Sequence, residues 1–131
     1  MSHKRIALHN ALVPVACLGL ALIHPASATG SFDGSYRGTQ RTLRSNNSAA
    51  CASLDHDNIR IVVQDNHFNR RWGQADLAVD IPASGAFHQS VVTTDSRKMR
   101  TIEITGTIKD GTMDAEIGTS LCAAHLSLRK S

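Results

Sequence analysis

The sequence predicts an all-β protein of about eight short antiparallel strands, wound as an up-and-down closed barrel. Three observations predict it. Apolar residues recur at every second position along most of the chain beyond residue 30, the period of a half-buried strand. Turn-forming residues fall between these runs at short intervals. Two cysteines, Cys51 and Cys122, stand just after the first run and just before the last.

The first 28 residues read as a secretory signal rather than as part of the fold. Lys4 and Arg5 are followed by an apolar run from Ala11 to Ile23, and Ala26 and Ala28 occupy the small-residue positions of a cleavage site. The run is shorter than the roughly 20 residues that a bilayer span needs. Pro14 and Gly19 interrupt it, and Cys17 lacks the context of a lipid-attachment site. No membrane anchor is expected after processing, and a periplasmic or secreted location follows. The mature part, residues 29–131, has the length of one domain. Without Lys4 and Arg5, the 14 basic residues of the chain fall by two and face 11 acidic ones, so the net charge drops from +3 to near +1. A chain so close to neutrality offers no electrostatic reason to bind nucleic acid.

The strands follow in order. Over 35–43, Tyr36 and Gly38 share one face while Arg37 and Arg41 share the other. Over 58–64, Ile59, Ile61 and Val63 align. Over 67–73, Phe68, Arg70 and Trp72 align. Over 75–81, Leu77, Val79 and Ile81 oppose Asp76, Ala78 and Asp80. Strands at 86–93 and 98–108 come next, the latter with Ile102, Ile104, Gly106 and Ile108 against Thr101, Glu103, Thr105 and Thr107. The series ends with 112–118 (Met113, Ala115, Ile117) and 123–130 (Leu126, Leu128). "KDGT" at 109–112 is a strong hairpin mark, "QDNH" at 64–67 and "TTDS" at 93–96 serve as turns, and the Pro-Gly segment "IPASG" ends a strand. Closing the sheet would remove its exposed edges. A two-sheet β-sandwich accommodates the same eight strands.

The cysteines test this arrangement. In an exported protein an even pair reads as a disulfide. In a closed eight-stranded barrel the first strand lies antiparallel beside the last, so Cys51 and Cys122 meet at the seam. Closing so long a loop stabilises by about 4 kcal/mol on the chain-entropy estimate. Their wide separation lacks the spacing of zinc ligation, and no cofactor or metal is expected.

The opening "FDGSYRGT", residues 32–39, resembles that of small exported bacterial β-rich domains, largely uncharacterised, which begin with a Phe-Asp-Gly, aromatic, Gly pattern. The resemblance extends to the cysteine near the last strand. It implies export and a β-rich fold and brings no activity with it. Eight-stranded barrels also include avidins and lipocalins. This chain, however, has a single tryptophan, Trp72, and Tyr36 stands in place of the lipocalin Gly-x-Trp opening.

Candidates for chemistry are few. Asp55, His56 and Asp57 form the densest polar trio, suited to a metal or a proton shuttle or, more simply, to a solvated loop. His67, His88 and His125 are isolated, and no nucleophile elbow or zinc-protease helix is present. The "NNS" at 46–48 matches a glycosylation sequon but follows a bacterial-looking signal. Arg37 and Arg41, with Arg44, Arg70, Arg71, Arg97, Lys98 and Arg100, would form a patch for an acidic partner or polyanion if they converged. In "HFNRRW", Arg70 lies between two aromatics on one face. If that face is interior, Arg70 suits a carboxylate or phosphate of a ligand, with Trp72 beside it. The sequence thus points to an exported, non-enzymatic, monomeric module that docks on a protein or holds a small ligand at one mouth. A small hydrolytic enzyme using His56 or His67 with nearby acids, and an inhibitor of a secreted hydrolase, are the competing expectations.

Overall fold

A computed structural model describes residues 30–46, 51, 53–95 and 97–131. The expected signal segment, residues 1–28, and most of the sequon lie outside them. The chain forms eight strands: β1 (Gly34–Ser45), β2 (His56–Val63), β3 (His67–Trp72), β4 (Ala75–Asp80), β5 (Ala86–Asp95), β6 (Lys98–Lys109), β7 (Thr112–Gly118) and β8 (Cys122–Lys130). All pairings are antiparallel. Each strand falls where the alternation places it. The main displacements are at ends: β5 runs through Asp95, past the expected turn at 93–96, and β2 begins at His56, so His56 belongs to a strand and not to the preceding loop.

Six strands form one sheet in the order β2-β1-β8-β7-β6-β5, and β3 and β4 form a second. The first strand does lie beside the last: β1 and β8 pair from Tyr36↔Lys130 to Ser45↔Cys122. A closed ring of hydrogen bonds is not found. Between β2 and β3 the pairing is limited to the Gln64↔His67 bridge at their shared turn, and no ladder joins β4 to β5.

The apolar faces fill the space between the sheets. Ile61, Leu77, Ile104, Ile117 and Leu126 are almost wholly buried, with Tyr36, Phe68, Val79, Met113 and Leu128 among them. Phe68 of the small sheet meets Phe87 of the large one edge to face, with ring centroids 5.3 Å apart, a geometry that places ring edge against ring face. Gly38 lies against β8 so closely that a Cβ there would come 2.0 Å from the Ser127 carbonyl oxygen. The β1–β2 register shifts between Gly38 and Gln40. Gly38 therefore serves a bend and a close backbone approach, and a ring packs directly against a glycine at Phe87 and Gly106.

The two ends of the molecule differ. At one end Asp33 closes the structure. Its carboxylate accepts hydrogen bonds from the backbone N–H groups of Gly30 (3.0 Å), Asp65 (3.0 Å) and Asn66 (2.9 Å). Asn66 Oδ1 in turn accepts from Phe32 N–H, and Tyr36 Oη donates to the Phe32 carbonyl at 2.7 Å. Phe32 packs against the core. The Asp33 carboxylate is thus a clamp that ties the start of β1 to the β2–β3 turn. At the other end, Cys51 and Cys122 are joined by a disulfide with their Cα atoms 5.7 Å apart. Beside it the β5–β6 hairpin overhangs: β6 pairs with β5 out to Asp95↔Lys98, but with β7 only from Glu103 onward.

Candidate functional site

The open end holds a cleft of about 300 Å³. Trp72 and Gly73 of the β3–β4 turn form one wall. Thr93 and Thr94 of β5 with Arg100 and Ile102 of β6 form another, and Leu121 closes a side next to the disulfide. The overhanging hairpin exists because β5 and β6 outlast β7. The inward residues Thr93, Arg100 and Ile102 therefore line the mouth instead of packing on a neighbouring strand, and Thr94 borders it from the edge of β5. Trp72 is half-buried and rests on the core.

Arg70 lies two residues below Trp72 on the inward face of β3, roughly 7 Å deeper by strand geometry. Its Nη2 donates to Gln40 Oε1 at 2.7 Å, and Gln40 Nε2 donates to the Leu54 carbonyl at 2.7 Å. Arg70 Nε is buried without a hydrogen-bond partner. No carboxylate among the described residues pairs with this guanidinium. Desolvation by burial lowers its pKa from the ordinary arginine value. A guanidinium carries five donors and is stable in an apolar setting only when they are satisfied. Here the residue keeps partial exposure and most of its donors uncommitted.

The other expected residues lie outside the cleft. Arg41 is exposed and forms an ion pair with Asp57. Asp55 accepts from Thr42 N–H at 2.7 Å and from Thr42 Oγ1 at 2.9 Å, bonds that lower its pKa. The two acids of the Asp55-His56-Asp57 trio thus serve the flank of β1. Among the described residues, no group of three or more His, Cys, Asp or Glu side chains is placed to hold a metal ion. His67 contacts Asp80 and His125 contacts Asp114, each at 2.9 Å and each on the outer surface. Arg44 donates to the Thr119 carbonyl at 3.1 Å. It borders a second groove of about 460 Å³ outside the sheet, lined also by Glu103 and Glu116.

Arg37 is exposed on the outer face of β1, directly opposite Arg60 of β2 and Arg129 of β8. Arg97 and Lys98 belong to the β5–β6 hairpin at the far edge of the sheet from β1, so the conditional patch with Arg37 and Arg41 is not built by strand pairing. Arg37 has instead gathered two arginines that sequence reading left aside. Gln40 was also missed, although it shares the face of Tyr36 and Gly38, and an amide at such a position needs an interior partner.

Comparison with family models, with characterised proteins and with solved structures finds no match.

Proposed function

We propose that this chain is an exported, non-enzymatic binding protein that takes a small organic anion with an apolar body into its open end. The observation that carries the reading is the Arg70 guanidinium, without a carboxylate partner, which shares the inward face of β3 with Trp72 and lies beneath the residues that line the cleft. Trp72 and Ile102 supply apolar surface, Thr93 supplies a hydroxyl group, and Arg100 on the wall and Arg70 beneath it supply the charge. Binding sites of this kind combine an apolar wall with a few placed polar groups.

The two sheets act together as one barrel-like wrap with two unladdered seams. The β1–β8 pairing supports this, as does the Phe68–Phe87 contact between sheets. Export is supported by the disulfide, a bond characteristic of oxidising compartments. The non-enzymatic reading is supported by the placement of His67 and His125 on outer faces, each against a single carboxylate.

Trp72 is the chain's single tryptophan and lines the cleft, so its emission reports on the site directly. The test is a titration of the oxidised protein with 8-anilinonaphthalene-1-sulfonate, an anionic aromatic probe, and with N-phenyl-1-naphthylamine, its neutral counterpart. The expected result is saturable binding of the anion with a change in Trp72 emission. Arg70→Met should weaken anion binding about 10- to 100-fold, the worth of a charge-assisted hydrogen bond, and leave the neutral probe unaffected. Failure of both probes to bind would overturn the cleft as a site. Binding of both with no effect of Arg70→Met would overturn the role of Arg70.

A further inference from the structure

Outside the cleft, strand register builds a line of positive charge. Arg60 of β2 is the cross-strand partner of Arg37 of β1, Arg37 that of Arg129 of β8, Arg129 that of Thr112 of β7, and Thr112 that of Lys109 of β6. The three arginines and Lys109 are all exposed. Four cations and one threonine thus form a single row across five adjacent strands, with no acidic residue in it. Strands lie about 4.8 Å apart, so the row spans roughly 19 Å.

Like charges directly opposite in a sheet repel and are destabilising. Proteins normally offset them with nearby acids. Here Arg60 Nε donates to Ser35 Oγ at 3.0 Å, a neutral partner. No carboxylate among the described residues pairs with Arg37 or Arg129. The acids of this face lie outside the row: Asp57 pairs with Arg41, Asp114 pairs with His125, and Glu103 and Glu116 lie farther toward the open end. A chain with net charge near +1 once the signal is removed has therefore concentrated cations where they oppose one another. An outside anion would relieve that repulsion.

The shape of the row selects the anion. It is one residue wide. The next row toward the closed end carries Ser35 and Val62, and the next toward the open end carries Thr39, Ser127 and Asp114. A lipid bilayer calls for a two-dimensional basic patch, and a single line on a curved sheet does not supply one. A line of cations at strand spacing, flanked by the hydroxyls of Ser35, Thr39 and Ser127, fits an extended chain with charges along its length. We propose that this row is a docking track for an extended acidic polysaccharide, bearing carboxylate or sulfate groups, independent of the small-ligand cleft.

The test measures binding of the oxidised protein to polygalacturonate and to dextran sulfate at low salt, with neutral dextran as control. The two polymers separate a carboxylate-bearing source from a sulfate-bearing one. Binding to at least one, and none to neutral dextran, is expected. Arg37→Gln and Arg129→Gln should each weaken it about two- to fivefold. Each should also flatten the slope of log affinity against log salt by about one unit, one released counterion per lost cation. Both variants should melt no lower than the wild type, since repulsion has been removed. Arg71→Gln makes the same change in net charge on the other sheet and should leave binding unchanged. Equal weakening by Arg71→Gln, a lack of binding to either polymer, or row-dependent binding to phosphatidylglycerol vesicles without binding to the polymers would each overturn the proposal.

Discussion

Gln40 of β1 accepts a hydrogen bond from Arg70 of β3 and so bridges two sheets that share no ladder there. Gln40 is 3% exposed, and its amide nitrogen holds the Leu54 carbonyl. Both ends of one amide are engaged, so its orientation is fixed. Gln40→Leu leaves the Leu54 carbonyl and Arg70 each short of a partner. The expected loss is about 1–3 kcal/mol, read from urea unfolding. Combined with Arg70→Met the losses should be less than additive, because the second change removes a group that the first had orphaned. Additive losses would mean that the two side chains do not act as a pair.

Phe87 is the cross-strand partner of Gly106, and a Cβ on Gly106 would stand 2.7 Å from Phe87 Cζ and 2.5 Å from Ala115 Cβ. Gly106→Ala therefore overpacks the junction where Phe87 also meets Phe68. A destabilisation of about 1–3 kcal/mol is expected by urea unfolding. Phe87→Leu in the same background should recover part of it.

The Cys51–Cys122 bond ties the segment after β1 to the start of β8, where Ser45 already pairs with Cys122. The pair Cys51→Ser and Cys122→Ser should lower stability by about 2–5 kcal/mol while the far-ultraviolet spectrum keeps its strand signature. A variant as stable as the wild type would show that the seam is held by the ladder alone.

The Asp33 carboxyl titrates below its ordinary value of 3.8, chiefly because the Asn66 N–H bonds it, with Asp65, Gly30 and Lys130 adding to the effect against the opposing cost of burial. A depressed pKa stabilises the fold at pH above the unfolded value, and that contribution is lost as pH falls through the folded one. Between pH 5 and pH 2 the urea midpoint of the wild type should therefore fall more than that of Asp33→Asn. Parallel curves would remove Asp33 from the acid response.

The strands were legible because every strand has one buried face, and a one-residue slip would expose it. Even the meeting of Cys51 and Cys122 follows from strand order. Arg70 and Trp72 share the parity of buried Phe68, so their inward placement was legible in the same way. Other features of the cleft and of the arginine row were hidden for definable reasons. Gln40 was masked by its place among the polar residues of β1, although its parity with Tyr36 marked it as inward. The cleft residues Thr93 and Ile102 depend on β5 and β6 outlasting β7, which is a matter of relative length across strands. The arginine row depends on register: Arg37, Arg60 and Arg129 are far apart in sequence, and nothing local announces that they become neighbours.

Ser131 bonds through its N–H to the Ser35 carbonyl, and Gly30 bonds to Asp33, so both ends of the described chain emerge beside the clamp and away from the cleft. A body attached at Gly30 or Ser131 would grip the molecule by its base. The cleft beside the disulfide then faces outward.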